Sequence, residues 1–217
     1  MTPSAPAEHP LSAALRRDGH RRRFRRGQAL FTEGDIAERV FLIEAGRVLI
    51  SCMSADGREI VLGLRGPGDI IGELSALDGE ARSATALVVA DVEAVVAPGS
   101  SLARALEQVG AAHELIAILA DRLRDADRKR LEFATLDTLG RVAERLLELA
   151  AGFGSAGPDG ITVELPLSQE QLASWCGASR ESTVKALGTL RTLNTISTGR
   201  QTLVIHDPDA LRRHAHR

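Results

Sequence analysis

Arg180, Glu181, Ser182 and Lys185 are polar side chains on a stretch whose other face is apolar, and side chains of these types meet the base edges and phosphates of a nucleic-acid groove. The segment that carries them, Leu167 to Leu187, has the punctuation of two short helices joined by a three-residue turn. Ser168 is placed to cap the first helix, with Gln171 three residues on completing a capping box, and Leu172, Ala173 and Trp175 supply its buried side. Gly177 breaks that helix and Ser179 caps the next. Val184, Leu187 and Leu190 recur at three-residue steps on one face, which leaves the four polar residues on the other. This is the sequence shape of a helix-turn-helix, and it predicts contact with double-stranded DNA.

Other chemistries find little support in the 217 residues. Cys52 and Cys176 are the only cysteines, too few for a four-cysteine iron–sulfur cluster or an all-thiol zinc site, and they read as small buried hydrophobes. Residues 21 to 112 contain no histidine, which argues against a metal-dependent enzyme of the cupin type, and no nucleophile–base pair stands at a recognisable spacing. The chain is therefore expected to be no enzyme, with no catalytic residue, metal site or cofactor. A redox, gas or haem sensor would have to draw on Cys52, His113 or Cys176. The N-terminus lacks the apolar core of a signal peptide, and no run of about 18 apolar residues occurs. A cytoplasmic protein without a membrane partner is expected.

The net charge of −2 conceals an uneven distribution. Residues 1–26 carry seven arginines against two acids, residues 27–107 six basic against thirteen acidic side chains, and residues 161–217 seven basic against five acidic. The acidic middle is not expected to face phosphate. The cluster Arg16, Arg17, Arg21, Arg22, Arg23, Arg25 and Arg26 reads as a basic, solvated and partly flexible leader over 1–26, its end packing beside the first strand.

The elements that must position the polar helix are legible from punctuation. From Gln28 to Val96 short apolar runs alternate with glycine-bearing turns such as Ala45-Gly46, Asp56-Gly57, Gly66-Pro67-Gly68-Asp69 and Asp78-Gly79. Several short strands at this spacing predict a β jelly roll over 27–109, ended by Pro98-Gly99. Ser101 to Gln108 is a short amphipathic piece. Ala111 to about Thr135 has neither Gly nor Pro and predicts a helix of roughly 37 Å. Along it Leu119, Leu123, Ala126, Arg130 and Phe133 alternate four- and three-residue steps, the seam of a two-stranded coiled coil, so 110–136 is expected to join two copies of the chain as a homodimer. A further helix is expected from about Asp137 to Ala150, a Gly/Ser/Pro loop from Gly152 to Gly160, and a hairpin wing from Thr195 to Ile205 turning at Gly199. The expected class is α+β: an N-terminal jelly roll, a long dimerisation helix, and a C-terminal winged helix-turn-helix over 137–217.

Laid out in this order, the chain resembles the CRP/FNR family of bacterial transcription regulators, in the style of the catabolite activator protein, over roughly Gly27 to Asp209. Two motifs carry the resemblance: Gly72-Glu73-Leu74 followed by Arg82-Ser83-Ala84-Thr85, and Ser179-Arg180-Glu181 at the start of the second helix. In the family the first motif holds the cyclic phosphate of a cyclic nucleotide. Backbone N–H groups of a turn rich in small residues, at Gly72, Leu74 and Ala84, suit an anion; Arg82 offers a guanidinium to phosphate oxygens and Ser83 a hydroxyl, while Glu73 is placed to accept from a ribose 2′-hydroxyl. The alternative is that Arg82 simply pairs with Glu73 or Glu80.

The resemblance further implies that Arg180 reads a guanine and Glu181 a cytosine amino group, with Ser168, Gln169 and Ser179 as phosphate contacts. Lys185 stands where close relatives have a second arginine, and a lysine lacks the two-pronged fork. A second departure falls where relatives present hydroxyl or amide groups to the base: here stand Ala126 and Asp127. An ionised carboxylate only accepts, so Asp127 suits a guanine edge, or else belongs to a charged stripe with Arg124, Arg128 and Arg130. Cyclic AMP is the first expectation for the allosteric ligand, with a cyclic-GMP-like ligand the other. The implied function is a homodimeric, effector-controlled DNA-binding regulator acting with RNA polymerase; the alternatives are the same scaffold with a different effector, or a constitutive DNA binder with none.

Overall fold

The computed structural model describes residues 9–164 and 167–215. They form two compact units: residues up to Met53 with Leu62–Asp125, and Ser54–Val61 with the residues from Ala126 onward. The first unit is built from α1 (Pro10–Asp18), β1 (His20–Phe24), β2 (Ala29–Phe31), β3 (Arg39–Met53), the second part, from Leu62, of β4 (Glu59–Arg65), β5 (Ile70–Ile71), α2 (Glu73–Asp78), β6 (Thr85–Pro98), α3 (Gly99–Leu106) and the first part of α4 (Val109–Thr135). The strands make one antiparallel sheet of order β1-β6-β3-β4, with β2 added to β6 and β5 to β3.

Side-chain alternation explains why its strands read as continuous apolar runs. Phe41 and Ile43 face one way with Ala94 and Val96 into the interior of the roll, whereas Val40 and Leu42 face the other way with Val95 and Ala97. That outer face is covered by Leu11 and Leu15 of α1, Leu102 of α3 and Leu115 of α4. A strand covered on both sides has no polar face to show. Leu11, Leu15 and Leu102 are wholly buried, each stabilising the unit by about 1.5–3 kcal/mol.

Three sequence expectations are corrected in this unit. The leader expected over 1–26 is ordered from residue 10: Leu11, Ala14 and Leu15 lie on one helical face of α1 and are buried, and Arg21 to Arg23 lie in β1, paired with Val95, Ala94 and Glu93 of β6. The arginines hide this because they project outward from α1 and from an edge strand, where charge protects the sheet; residues 1–8 lie outside the described residues. Ala45-Gly46 is no turn. It is a bulge within the 15-residue β3, where the register against β6 shifts on both sides and Gly46 takes φ +86 against the Asp91 carbonyl. The expected turn before Asp78-Gly79 contains a short helix, α2, entered through Gly72 and left through Gly79, both left-handed.

The second unit takes α4 onward into α5 (Thr138–Phe153), β7 (Gly154–Gly157), β8 (Gly160–Glu164), α6 (Gln169–Trp175), α7 (Arg180–Thr192), β9 (Ile196–Thr198), β10 (Thr202–Ile205) and α8 (Pro208–Ala215). Asp137 caps α5 by accepting from Gly140 N at 2.8 Å. Strands pair antiparallel in the order β7-β8-β10-β9. The expected wing is the β9–β10 hairpin, closed by Gly199 N donating to Thr202 O at 2.9 Å. The loop expected over Gly152 to Gly160 is instead the end of α5, β7 and a tight turn: small residues leave no strand pattern, yet the backbone of β7 pairs with β8 over its whole length.

Candidate ligand recess and nucleic-acid interface

In the first unit α2 and the neighbouring strands border an open recess, about 410 Å³ counting the space open to solvent. Gly72, Glu73, Leu74, Arg82, Ser83 and Ala84 all line it, so six of the seven residues expected to hold a ligand converge there. Arg65 and Arg122 line it too, giving three guanidinium groups against the one carboxylate of Glu73. Phe31, Ile50 and Ile71 provide apolar wall. Cationic groups beside apolar surface suit a ligand with an anionic end and a flat, weakly polar body.

Arg82 is only 4% exposed. Nη1 donates to Gly72 O at 2.8 Å, Nη2 donates to Arg39 O, and the guanidinium lies 4.3 Å over the Phe31 ring. Nε is buried without a hydrogen-bond partner. The alternative in which Arg82 pairs with Glu73 or Glu80 is not what the side chain does: Glu73 binds Arg122, which also donates to Ile70 O. Burial draws both guanidinium groups below their ordinary pKa, opposed in each case by the charge of Glu73. Gly72 is required twice over, by φ +79 and because a Cβ would stand 2.6 Å from Arg82 Nη1.

Arg122 escaped the sequence reading. Its signal was available: Leu115, Ile118 and Arg122 follow four- and three-residue steps along the inward stripe of α4, so a charge sits where a core residue is due. Asp127 does not line the recess. It is exposed and faces Arg130 across one turn, Oδ1 to Nη1 3.5 Å, as the charged-stripe alternative has it.

In the second unit the polar residues of the sequence motif are where the capping logic puts them. Ser168 Oγ accepts from Gln171 N at 3.1 Å while Ser168 N donates to Gln171 Oε1 at 3.0 Å, a complete capping box on α6. Ser179 Oγ accepts from Ser182 N at 3.1 Å and donates to Ser182 Oγ at 2.9 Å. Gly177 takes φ +57 in the turn, where a Cβ would meet the Phe133 ring at 2.5 Å. Arg141, unnoticed in the sequence, ties this turn down: its Nε donates to Cys176 O at 2.7 Å.

Arg180, Glu181, Ser182 and Lys185 are exposed together on the first turns of α7. Arg180 is 63% exposed and leans toward α6, its Nε 3.1 Å from Gln169 Oε1 and 3.2 Å from Glu170 Oε1. The buried face of α7 is Thr183, Ala186, Leu187 and Leu190, and Val184, expected on it, is 38% exposed. Three-residue steps fall short of a full turn by about 60° each, so a run of them rotates off the core.

Beneath this surface lies a buried ionic cluster. Arg145, 2% exposed, binds Glu132 and places Nη1 3.0 Å from Glu148 Oε2; Lys129 Nζ stands 3.7 Å from Glu148 Oε1; and both cations flank the Trp175 ring of α6 at 5.7 and 5.8 Å. Burial raises the Glu132 pKa, with the Arg145 charge acting against it. Cys176 is wholly buried beside Trp175, and desolvation pushes its thiol up to about 12. Among the described residues no group of three or more His, Cys, Asp or Glu side chains is arranged to hold a metal, and no helix is long and apolar enough to cross a membrane.

An anion-suited recess in a β roll and a capped helix-turn-helix with a wing define a ligand-domain regulator of DNA. Comparison with known proteins gives the same class: residues 21–109 match the family model "Cyclic nucleotide-binding domain" and residues 140–214 the "Crp-like helix-turn-helix domain". A "CRP-like cAMP-activated global transcriptional regulator" of Mycobacterium tuberculosis is 34% identical over 88% of this chain and 86% of its own length. A "Global nitrogen regulator" of Synechocystis is 31% identical over 97% and 98%. FixK2 from Bradyrhizobium japonicum superposes with a TM-score of 0.81 at 26% identity, covering 90% of this chain and 96% of that one. The chain belongs to the CRP/FNR family of transcription regulators: it is a DNA-binding protein with a cyclic-nucleotide-binding domain, and not an enzyme.

Proposed function

We propose that the protein is a homodimeric, cytoplasmic transcription regulator whose affinity for an operator is set by a cyclic nucleotide in the Arg82 recess, with cyclic AMP the first candidate. The observation that carries this reading is the buried, unpartnered Nε of Arg82 in a recess of three arginines and one glutamate. Arg82 and Ser83, with the backbone at Gly72, Leu74 and Ala84, are assigned to the cyclic phosphate. Glu73, oriented by Arg122 through Oε1, is assigned to the ribose hydroxyl through Oε2. The cAMP-activated relative in Mycobacterium tuberculosis supports the choice of base. Asp127 is the residue a guanine edge would require, and its pairing with Arg130 weighs toward cyclic AMP.

The functional divisions are the ligand domain over 27–109, to which the ordered α1 and β1 add residues 10–24, the dimerisation helix over 110–136 and the DNA-binding domain over 137–217. Ser168, Gln169 and Ser179 are assigned to phosphates, and Arg180, Glu181, Ser182 and Lys185 to the groove. Two recognition helices about 34–36 Å apart would read two half-sites, with RNA polymerase the partner at the promoter.

The test is calorimetric titration with cyclic AMP and cyclic GMP in parallel, on the native protein, Arg82→Ala and Ser83→Ala, with thermal unfolding as the control for folding. One nucleotide is expected to bind, and Arg82→Ala to weaken it by about 10–150-fold, the equivalent of a charge-assisted bond of roughly 1.5–3 kcal/mol. Absence of heat with either nucleotide from folded protein refutes the cyclic-nucleotide assignment. It would favour a second reading, a different effector or a constitutive DNA binder, which one observation supports: both terminal nitrogens of Arg82 already donate to the chain itself, one to the carbonyl of Gly72 and one to that of Arg39.

The dimer rests on α4. Of the expected seam, Leu123, Ala126, Arg130 and Phe133 are exposed, Leu123 at 62%, while Leu119 is half-buried against the core on the outer face of the first unit's sheet. Ile116, also exposed, extends the stripe by about one turn toward the helix start. Leu123→Glu places two carboxylates at the axis of a symmetric pair, and is expected to shift the protein from dimer to monomer in light scattering at micromolar concentration. A dimer that survives would remove the seam from the interface.

A further inference from the structure

Behind the Arg82–Phe31 pair lies a second recess, of about 540 Å³ of open space, wholly within the first unit and lined by none of the residues assigned to a cyclic nucleotide except Arg82. Its floor is aromatic. Phe24, Phe31 and Phe41, three of the five phenylalanines in the chain, pack there, with ring centroids 6.2 Å apart for Phe24 and Phe41 and 5.8 Å for Phe31 and Phe41. The walls bring guanidinium groups to the rings: Arg22 lies 5.0 Å from the Phe24 centroid and Arg82 4.3 Å from that of Phe31, with Arg39 beside them.

Charge and exposure select the ligand. Two carboxylates, Asp35, which also accepts from Thr32 N at 2.8 Å, and Glu38, stand on the wall against three arginines, so positive charge is in excess by one. Ile36, at the mouth, is 86% exposed, an apolar side chain standing in water beside an aromatic floor. Nε of Arg82, the buried donor without a partner, belongs to a side chain that lines both recesses.

The geometry points to this recess as a second ligand site, for a small aromatic carboxylate whose ring covers the phenylalanine floor beneath Ile36 and whose carboxylate meets Arg22 and Arg39. Guanidinium and carboxylate match in two-pronged hydrogen bonding, and an aromatic ring at the floor gains stacking and edge contacts that an alkyl chain does not. Because Arg82 and Phe31 form the partition, occupancy of one recess bears on the other. The site itself rests on the recess geometry and not on the cyclic-nucleotide reading.

The experiment is calorimetric titration of the full chain with 2-naphthoate as probe and 2-naphthylmethanol as its neutral counterpart. One molecule of 2-naphthoate per chain is expected, with the alcohol about tenfold weaker. Arg22→Glu and Arg39→Glu, both at exposed side chains, are each expected to weaken the probe by about tenfold or more while the thermal midpoint stays at that of the native protein. Absence of binding overturns the proposal, as does binding indifferent to both reversals. Loss of the probe in Ser83→Ala with the two rim variants unaffected also overturns it, since the probe would then occupy the first recess. The parallel cyclic-nucleotide titration fails or succeeds separately.

Discussion

Arg180→Ala is expected to lower affinity for a selected operator by about 1–3 kcal/mol at each half-site, and therefore by at least about 30-fold for a dimer, with little change on unrelated DNA. The arginine emerges 63% exposed from the first turn of a helix whose start is fixed by Ser179, so its guanidinium is free to reach a guanine edge once it leaves Gln169 and Glu170. That departure is inexpensive, since an exposed ion pair contributes less than about 1 kcal/mol. Anisotropy titrations of a fluorescent operator and of a scrambled duplex at one salt concentration separate the two effects. Equal losses on both duplexes would make Arg180 a phosphate contact, and the base-reading assignment would fail. Lys185→Ala is the useful contrast, because a point charge without a fork contributes mainly to the salt-dependent part of binding.

Arg145→Met is expected to destabilise the second unit by about 3–5 kcal/mol, because it removes the buried cation shared by Glu132 and Glu148 and leaves Glu132 only the longer contact to the more exposed Arg128, and Glu148 that to Lys129. Scanning calorimetry would show a fall in thermal midpoint of more than about 10 °C. The loss depends on pH in a defined sense. Burial raises the Glu132 pKa, so the folded chain retains that proton more firmly than the unfolded one; the contribution is fully present below the ordinary carboxylate value and is lost as pH rises through the folded value. Removing Arg145 takes away the charge that opposes this shift. The gap between variant and native midpoints should thus be widest near neutrality and narrow as pH falls toward about 4, where the carboxylate is neutralised. A gap that does not change with pH would mean that lost packing against Trp175, and not an orphaned charge, carries the effect. The double variant Arg145→Met with Glu132→Leu should recover much of the stability.

The order of elements was legible in the sequence wherever polar punctuation and apolar period agreed. Ser168 with Gln171, Ser179 with Ser182, the Gly199 turn and the uninterrupted α4 are cases where local chemistry alone decides the backbone. The misreadings share a different cause. Ala45-Gly46 carries turn residues, yet pairing of β3 with β6 on both sides of it makes a bulge, a fact that only the partner strand supplies. In α1 seven nearby arginines mask three buried apolar positions, and Gly154 to Gly157 has no side-chain pattern at all.

The ligand recess was found through the motif at Gly72 and Arg82, but Arg122 was not, because charged residues on a helix are ordinarily read as a solvated face. The inward stripe of α4 runs Ala111, Leu115, Ile118, Arg122, Asp125, Lys129, Glu132, turning from apolar to charged at its midpoint. Its second half is half-buried or buried and carries the ion pairs of Arg122, Lys129 and Glu132. The neighbouring stripe, with Leu123 and Phe133, is the exposed one.

The placement of Cys176 makes the helix-turn-helix chemically quiet. With the thiol pushed up to about 12 and no exposed surface, only about one molecule in 10⁵ carries a thiolate there at pH 7. Disulfide exchange, alkylation and peroxide all act on the thiolate, so each must wait for α6 to open. The rate at which an alkylating reagent reaches Cys176 is consequently a clock for opening of the DNA-reading unit, available without any label added to the protein.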